Sequence, residues 1–391
     1  MKNFIFISPY FPANYENFCI QLSLNGVTVL GIGDTPYDNL SGNLKGALTE
    51  YYKVGSMENF DEMYRAVAFF CFKYGPIDGL ESNNEYWLEQ DARLRTCFNI
   101  PGMKTADMEH VKYKSKMKPY YEAIGLPVAR YHLVTDLKES KAFIKKVGYP
   151  VIVKLDNGVG ASLTYKINNE EELKAFHEED FGDKVFIMEE FVPGEIFSYD
   201  SISDSNGDPL FETGNHTPMS IMDVVNDQDN SVFYIEKQIA DDIREIGRKT
   251  LKSFGVKSRF THFEFFRLTE DHDYLGKKGS LIGLEVNLRP SGGYTPDMIN
   301  YANSTNVYKD WADMVTFDKL TISDYPDKYY CISAGLRAYK TYQHTHEEVM
   351  EKYKENIMMY TVLDPALASA MGDYAYIARF GTEAEMKEFL N

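Results

Sequence analysis

The run Leu281-Ile282-Gly283-Leu284-Glu285-Val286-Asn287-Leu288-Arg289-Pro290 holds the residues best suited to chemistry. Its pattern predicts a strand, in which residues two apart share a face. Glu285, Asn287 and Arg289 then project to one side while Val286 and Leu288 bury on the other. A carboxylate, an amide oxygen and a guanidinium in one row suit a hard divalent cation and a phosphate, with oxygen ligands for the first and a forked donor for the second. A second predicted strand, 261–266, carries Glu264 on the face opposite Phe263 and Phe265. A hairpin turning within 270–278 that pairs Leu268 near Leu281 puts Glu264 across from Glu285. Facing like charges destabilise a sheet, so the pair makes sense with a divalent cation between them. The alternative is an exposed acid pair tolerated by solvent.

Two further elements are weaker alone. An apolar strand, 150–153, ends in Lys154 and runs into the small-residue loop Asn157-Gly158-Val159-Gly160-Ala161-Ser162. Such a loop can bring one ammonium and several backbone N–H groups to a phosphate chain. The lysine precedes the glycines, so this is not a Walker loop, and a plain turn is the alternative. The segment Phe186–Glu195 reads as a strand broken by Pro193-Gly194. Its freed backbone could read an adenine edge and the carboxylate beyond it could hold ribose hydroxyls; solvated acids at a strand end are the alternative.

Supporting elements follow from periodicity. Apolar runs at 4–7 and 27–32, with a helix over 14–24 between them, predict a small open parallel sheet. Gly31-Ile32-Gly33-Asp34 lacks the third glycine of a dinucleotide fingerprint and reads as a strand exit. Helices are predicted over 57–74, 85–98, 108–124, 137–147, 173–176 and 240–254, with Gly125 ending the third of these in a left-handed cap. A long irregular region rich in Asp and Asn is expected at 203–231. The tail from about 325 mixes strands and helices, with Arg337 a lone cation in an apolar strand and His344 and His346 solvated near a helix start.

Composition sets limits. The formal charge of −18 argues against nucleic acid and anionic membranes as partners. Four cysteines without metal-site spacing argue against zinc and a disulfide framework and fit a reducing, cytoplasmic compartment. The N-terminal run, cut by Pro9 and Pro12, reads as a strand rather than a signal peptide, and no later stretch is long enough to span a bilayer.

Taken in order, these elements resemble the ATP-grasp superfamily over about residues 1–320. The resemblance implies a small open parallel-sheet α/β domain, 1–105, followed by an ATP-grasp domain, 106–325, whose two α+β subdomains clamp ATP and whose lid spans about 130–195. A C-terminal α+β segment, 326–391, is expected to pack on that core. Lys114-Ser115-Lys116-Met117 resembles the family's Lys-x-x-Met step. By that likeness Lys114 and Lys154 flank the phosphates of ATP and the loop through Gly158, Gly160, Ala161 and Ser162 closes over them. Glu189, Glu190, Phe191 and Val192 line the adenine hinge, Val192 through its backbone, and Glu195 holds ribose. Glu264, Glu285 and Asn287 hold Mg2+, or Mn2+ in its place, and Arg289 stabilises the transferring phosphoryl group. Two departures stand out: Leu155 follows Lys154 where many relatives have proline, and the ribose acid is displaced by about one residue.

The activity implied is an ADP-forming ligase that activates a small-molecule carboxylate as an acyl phosphate and joins it to an amine, with amino acids as candidate substrates. His216, Ser291 and Gly292, with 214–218, Met222 and Asn226, are the substrate candidates outside the ATP frame, and His262 beside Glu264 could equally be structural. Homodimers are frequent among proteins of this appearance. Two other readings are carboxyphosphate chemistry of the biotin carboxylase type and a non-catalytic ATP-binding regulator.

Overall fold

The computed structural model describes residues 2–158, 163–218, 229–322, 327–363, 368 and 370–390. Three sheets organise them. The first is parallel, in the order β3-β2-β1-β4, from β1 (Asn3–Ile7), β2 (Thr28–Gly33), β3 (Glu50–Lys53) and β4 (Gly79–Glu81). Helices α1 (Glu16–Leu24), α2 (Gly42–Ala47), α3 (Phe60–Tyr74) and α4 (Leu88–Cys97) cover it. Both faces of β1 are buried, with Phe4 and Phe6 in one core and Ile5 and Ile7 in another, which is why its sequence is continuously apolar. In α3 the Asn59 side chain accepts from the amides of Asp61 and Glu62, and Met63, Ala66, Val67 and Phe70 form the buried stripe.

The helix expected over 108–124 is two helices, α5 (Glu109–Lys112) and α6 (Lys114–Glu122), separated by Tyr113 at φ −97° and ψ 120°. The extended residue frees the Lys114 amide to donate to the Asp156 carbonyl at 2.8 Å. Gly125 takes φ 75°, the left-handed turn anticipated there.

The second sheet is antiparallel, in the order β5-β8-β6-β7, from β5 (Tyr131–Leu133), β6 (Val151–Leu155), β7 (Tyr165–Ile167) and β8 (Phe186–Glu190). Helices α7 (Leu137–Val147) and α8 (Glu170–Glu178) bury Val151, Val153, Phe186 and Met188 on one face. Strand alternation therefore turns Ile152, Lys154, Ile187 and Glu189 to the other.

The third sheet has nine strands. They are β9 (Gly194–Ser203), β10 (Pro209–Thr213), β11 (Asn215–Thr217), β12 (Ser231–Ile235), β13 (Arg259–Leu268), β14 (Leu281–Asn287), β15 (Tyr330–Leu336), β16 (Ile357–Val362) and β17 (Tyr374–Phe380). Their order is β14-β13-β9-β11-β12-β15-β17-β16, with β10 also paired to β9. The remaining helices are α9 (Asp241–Ser253), α10 (Thr295–Asn303), α11 (Val307–Phe317), α12 (His346–Lys352) and α13 (Glu383–Phe389). Three findings differ from expectation. Strands β10 and β11 lie inside the region expected to be irregular, of which 219–228 falls outside the described residues. Strand β9, for which no element is expected between Glu195 and the irregular region, pairs with β13 over ten residues. The last segment contributes β15, β16 and β17 to the large sheet itself rather than only packing on it.

One core unites the first and third sheets: Phe4, Phe6 and Phe18 pack with Trp311, Ile202 and Phe260. Among the described residues, no helix is long and apolar enough to cross a membrane.

Candidate active site

Strands β9, β13 and β14 have two unlike faces. The register sets Glu264 opposite Glu285 on one side and Ser198 on the other, and His262 opposite Asn287 and Asp200. These polar residues share one face, while Phe197, Tyr199, Phe263, Phe265 and Val286 form the other and pack on α6 and α9 through Tyr121, Ile243 and Leu251. A bulge between Glu264 and Phe265 brings Gly283 opposite Phe265. A Cβ on Gly283 would sit 2.7 Å from the Tyr121 ring, so only glycine lets α6 approach the hairpin this closely.

That approach delivers Lys114. Its Nζ lies 2.9 Å from Glu285 Oε1 and donates to the Gly158 carbonyl at 3.0 Å. Asp156 fastens the helix start to the loop, accepting from the Ser115 amide and hydroxyl at 2.7 Å each. Burial alone would lower the Lys114 pKa, but Glu285, Glu189 and Glu85 outweigh it and the pKa is raised. The Lys114 ammonium is therefore held charged between the two sheets.

Four residues along the same helix, Lys118 reaches Glu189 Oε1 at 2.6 Å, and Lys154 reaches Glu189 Oε2 at 2.7 Å. Burial would raise the Glu189 pKa, yet the two ammonium groups pull it down to about 2. Both oxygens of Glu189 are taken, so its carboxylate positions Lys154 instead of lying open to a base. Glu190 requires a correction: it projects to the opposite face, where Arg130 holds it through Nε at 2.8 Å, Nη2 at 2.5 Å and the backbone amide at 2.6 Å. Phe191 has the Lys166 ammonium 4.9 Å from its ring centroid. The Val192 side chain packs with Ala129, Leu268, Leu275 and Ile282, leaving its backbone as the part able to meet a ligand.

Glu264 is half-buried and its Oε1 lies 3.1 Å from His262 Nε2, while His262 Nδ1 meets Asp200 Oδ1 at 2.8 Å. Burial opposes the charge on His262, but its two acidic partners hold its pKa up at about 9. His262 in turn lowers the Glu264 pKa against the effect of burial. Each facing carboxylate thus has one oxygen tied to a cation, Glu264 to His262 and Glu285 to Lys114. Among the described residues, no three His, Cys, Asp or Glu side chains converge as a ready metal cluster. Two carboxylates and the Asn287 amide form a partial set of hard oxygen donors, which fits an ion such as Mg2+ that keeps waters and takes phosphate oxygens.

Arg289 lies beyond the end of β14. It donates through Nη1 to the Pro290 carbonyl at 2.8 Å and through Nη2 to Asn287 Oδ1 at 3.4 Å. Its Nε stands 3.7 Å from Glu85 Oε2, and Glu85 Oε1 is held by Lys112 at 3.0 Å. Ser291 and Gly292 follow on the loop into α10, with the Gly292 carbonyl accepting from Thr295 Oγ1 at 2.8 Å.

Two expected residues lie on the wrong face. Glu195 and His216 bond each other at 2.9 Å, and His216 stacks on Phe197 with ring centroids 4.0 Å apart. Phe197 belongs to the aromatic face, so both side chains point away from Glu264 and Glu285. Displacement by one residue on a strand reverses the side-chain direction, so Glu195 does not share the face of Glu264 and Glu285. His216 is a packed residue whose Nδ1 also meets the Tyr234 hydroxyl at 2.6 Å. Arg337 is buried with Nε on the Asp229 carbonyl at 2.9 Å. Gly160, Ala161, Ser162, Met222 and Asn226 lie outside the described residues. A cavity of about 650 Å3 opens near the tail, lined by Tyr342, Tyr360, Tyr374 and Tyr376, apart from this constellation.

Sequence reasoning missed Lys118, Asp156, Asp200 and Glu85. The i, i+4 spacing of Lys114 and Lys118 on one helix was a usable signal for the first. Nothing local marks Glu85, which arrives from the loop after β4.

No family model matches the sequence. The chain is 25% identical over 237 residues to an L-arginine-specific L-amino acid ligase of Bacillus subtilis, a match taking in 58% of this chain and 55% of that protein. It spans about half the length of the curated relatives it matches. Among solved structures it superposes on an L-amino acid ligase from Bacillus licheniformis with a TM-score of 0.70 at 15% identity, covering 100% of this chain and 96% of that one. An N5-carboxyaminoimidazole synthetase from Staphylococcus aureus complexed with ADP gives a TM-score of 0.72 at 13% identity, covering 100% and 97%. The chain thus shares the fold of these ligases along its whole length and is similar in sequence to an amino acid ligase over about half of it, in keeping with the ATP-grasp resemblance.

Proposed function

We propose that this protein is an ADP-forming carboxylate–amine ligase that uses ATP and Mg2+ and works through an acyl phosphate. The observation that carries the reading is the pairing of Glu264 with Glu285 across two strands, beside Asn287, with Lys114 at the rim. Two half-buried carboxylates in direct opposition cost stability unless something positive completes them. Mg2+ held by Glu264, Glu285 and Asn287 would neutralise the charge on the triphosphate oxygens.

The chain's own residues supply the rest. Lys114 and Lys154 extend cations toward the phosphates, Lys154 steadied by Glu189. The backbone at Val192 meets the adenine edge, and the loop that includes Gly158, Gly160, Ala161 and Ser162 covers the phosphates. Arg289, anchored by Asn287 and Pro290, offers its guanidinium to the phosphoryl group as it passes to the substrate carboxylate. The mixed anhydride must meet the amine before water does, which closure of the second sheet over the third accomplishes. Ser291 and Gly292, next to Arg289, border the substrate. Units at 1–105, 106–325 with a lid at about 130–195, and 326–391 are the proposed organisation, with amino acids as candidate substrates and the cytoplasm as the compartment. The same chain paired as a homodimer is the proposed assembly.

ADP release against pools of amino acids, other carboxylates, amines and bicarbonate tests the reading. Turnover that needs both a carboxylate and an amine is the expected result. Turnover with bicarbonate alone would replace it with carboxyphosphate chemistry, and ATP binding without any turnover would leave a regulator.

A further inference from the structure

The roles assigned above leave one buried polar chain without a task. Ser198 Oγ donates to Asp200 Oδ2, Asp200 Oδ1 meets His262 Nδ1 at 2.8 Å, and His262 Nε2 meets Glu264 Oε1 at 3.1 Å. Ser198 and Asp200 stand on β9, His262 and Glu264 on β13, and the antiparallel register aligns them two by two on the acidic face. Asp200 is 0% exposed and His262 5%, so neither is a solvated surface group. Both ring nitrogens are committed to carboxylate oxygens, which leaves the imidazole no free nitrogen for substrate. Its effect must pass through Glu264.

The geometry points to His262 as a positioning residue for the divalent cation: it holds Oε1 of Glu264, keeps Oε2 free for the ion, and is itself locked in rotation by Asp200. Lys114 does the corresponding work for Glu285 from the opposite side, through Oε1. Without the imidazole, Glu264 faces Glu285 with nothing to draw it back, and repulsion between the pair would turn its side chain out of the coordinating position. A partner that orients a metal-binding carboxylate is typically worth about 10–100-fold in metal affinity. The inference rests on the proposed role of Glu264 and Glu285 toward the cation.

The test reads metal binding without turnover. Mn2+ is titrated by electron paramagnetic resonance into the full chain with saturating ADP, for the native protein, His262→Gln, Asp200→Asn and Glu264→Ala. Circular dichroism and melting temperature report the fold, and metal-free ADP binding reports the nucleotide pocket. The expected result for His262→Gln is a Kd for Mn2+ raised about 10–100-fold with ADP binding unchanged. Asp200→Asn should move Kd in the same direction by less, and it carries the test if His262→Gln fails to fold. A folded His262→Gln protein that binds Mn2+ within twofold of native, while Glu264→Ala loses the ion, overturns this inference alone. Native-like binding by Glu264→Ala overturns the cation site and the inference together.

Discussion

A carboxylate pair such as Glu264 and Glu285 is informative because it is costly, and the surrounding charges show how the cost is met. Lys114 and His262 each take one oxygen, so the pair persists without a metal while remaining open to one. Glu285→Ala and Arg289→Ala are each expected to lower ADP release at least about 100-fold, the scale of losing a preorganised electrostatic group. Unchanged circular dichroism should accompany the loss, and normal turnover in either variant removes that residue from the site. Glu189 behaves differently, as a buried anion between two ammonium groups. Its pKa of about 2 lies below the unfolded value, so its stabilising contribution is complete above pH of about 4.3 and fades as pH falls toward 2. Glu189→Gln should cost about 3–5 kcal/mol at pH 7, since buried Lys118 and half-buried Lys154 lose their shared partner. Denaturant unfolding across a pH series should show the gap to native narrowing below about pH 4.3; a gap independent of pH would mean that the carboxylate charge is not what stabilises.

At the scale of elements, alternation decides which side chains meet. Strand β9 carries Glu195 and Phe197 to one face and Ser198 and Asp200 to the other, with the bulged hairpin of β13 and β14 aligned beside it. One residue of displacement is therefore enough to turn Glu195 away from Glu264 and Glu285. The hairpin in turn depends on Gly283 against Tyr121, because α6 must approach closely to bring Lys114 to Glu285. Gly283→Ala should destabilise the protein by about 1–3 kcal/mol through overpacking. Urea unfolding measures that cost, and a variant as stable as native would show that the ring and strand can part freely.

Across the whole molecule, the first sheet is tied to the third by a buried ion cluster. Glu81 accepts from Arg95 at 2.9 Å and from Arg259 at 2.6 and 2.9 Å, and Arg259 also donates to the Leu288 carbonyl. Glu81→Gln leaves two buried guanidinium groups without their shared anion and should cost about 3–5 kcal/mol, with earlier proteolysis at the junction between the sheets. Native-like melting and proteolysis would show that the apolar core alone holds them. Mg2+ with ATP should stabilise the native state by about 2.7 kcal/mol at one hundred times Kd, and Glu285→Ala should lose the metal-dependent part of the shift in melting temperature. From the sequence alone came the rows of groups along single strands: Glu285 with Asn287, Glu264 between phenylalanines, Lys154 at a strand end. Side-chain alternation is set by local backbone geometry, so no distant residue is needed to read it. The tertiary structure alone decided that β9 is a strand at all, that Glu195 and His216 face away, and that Lys118, Asp200 and Glu85 are the partners of these groups. Those outcomes depend on which strands pair, in what register, and on which helix packs against them, and such contacts between residues far apart in the chain leave no periodic trace in either segment.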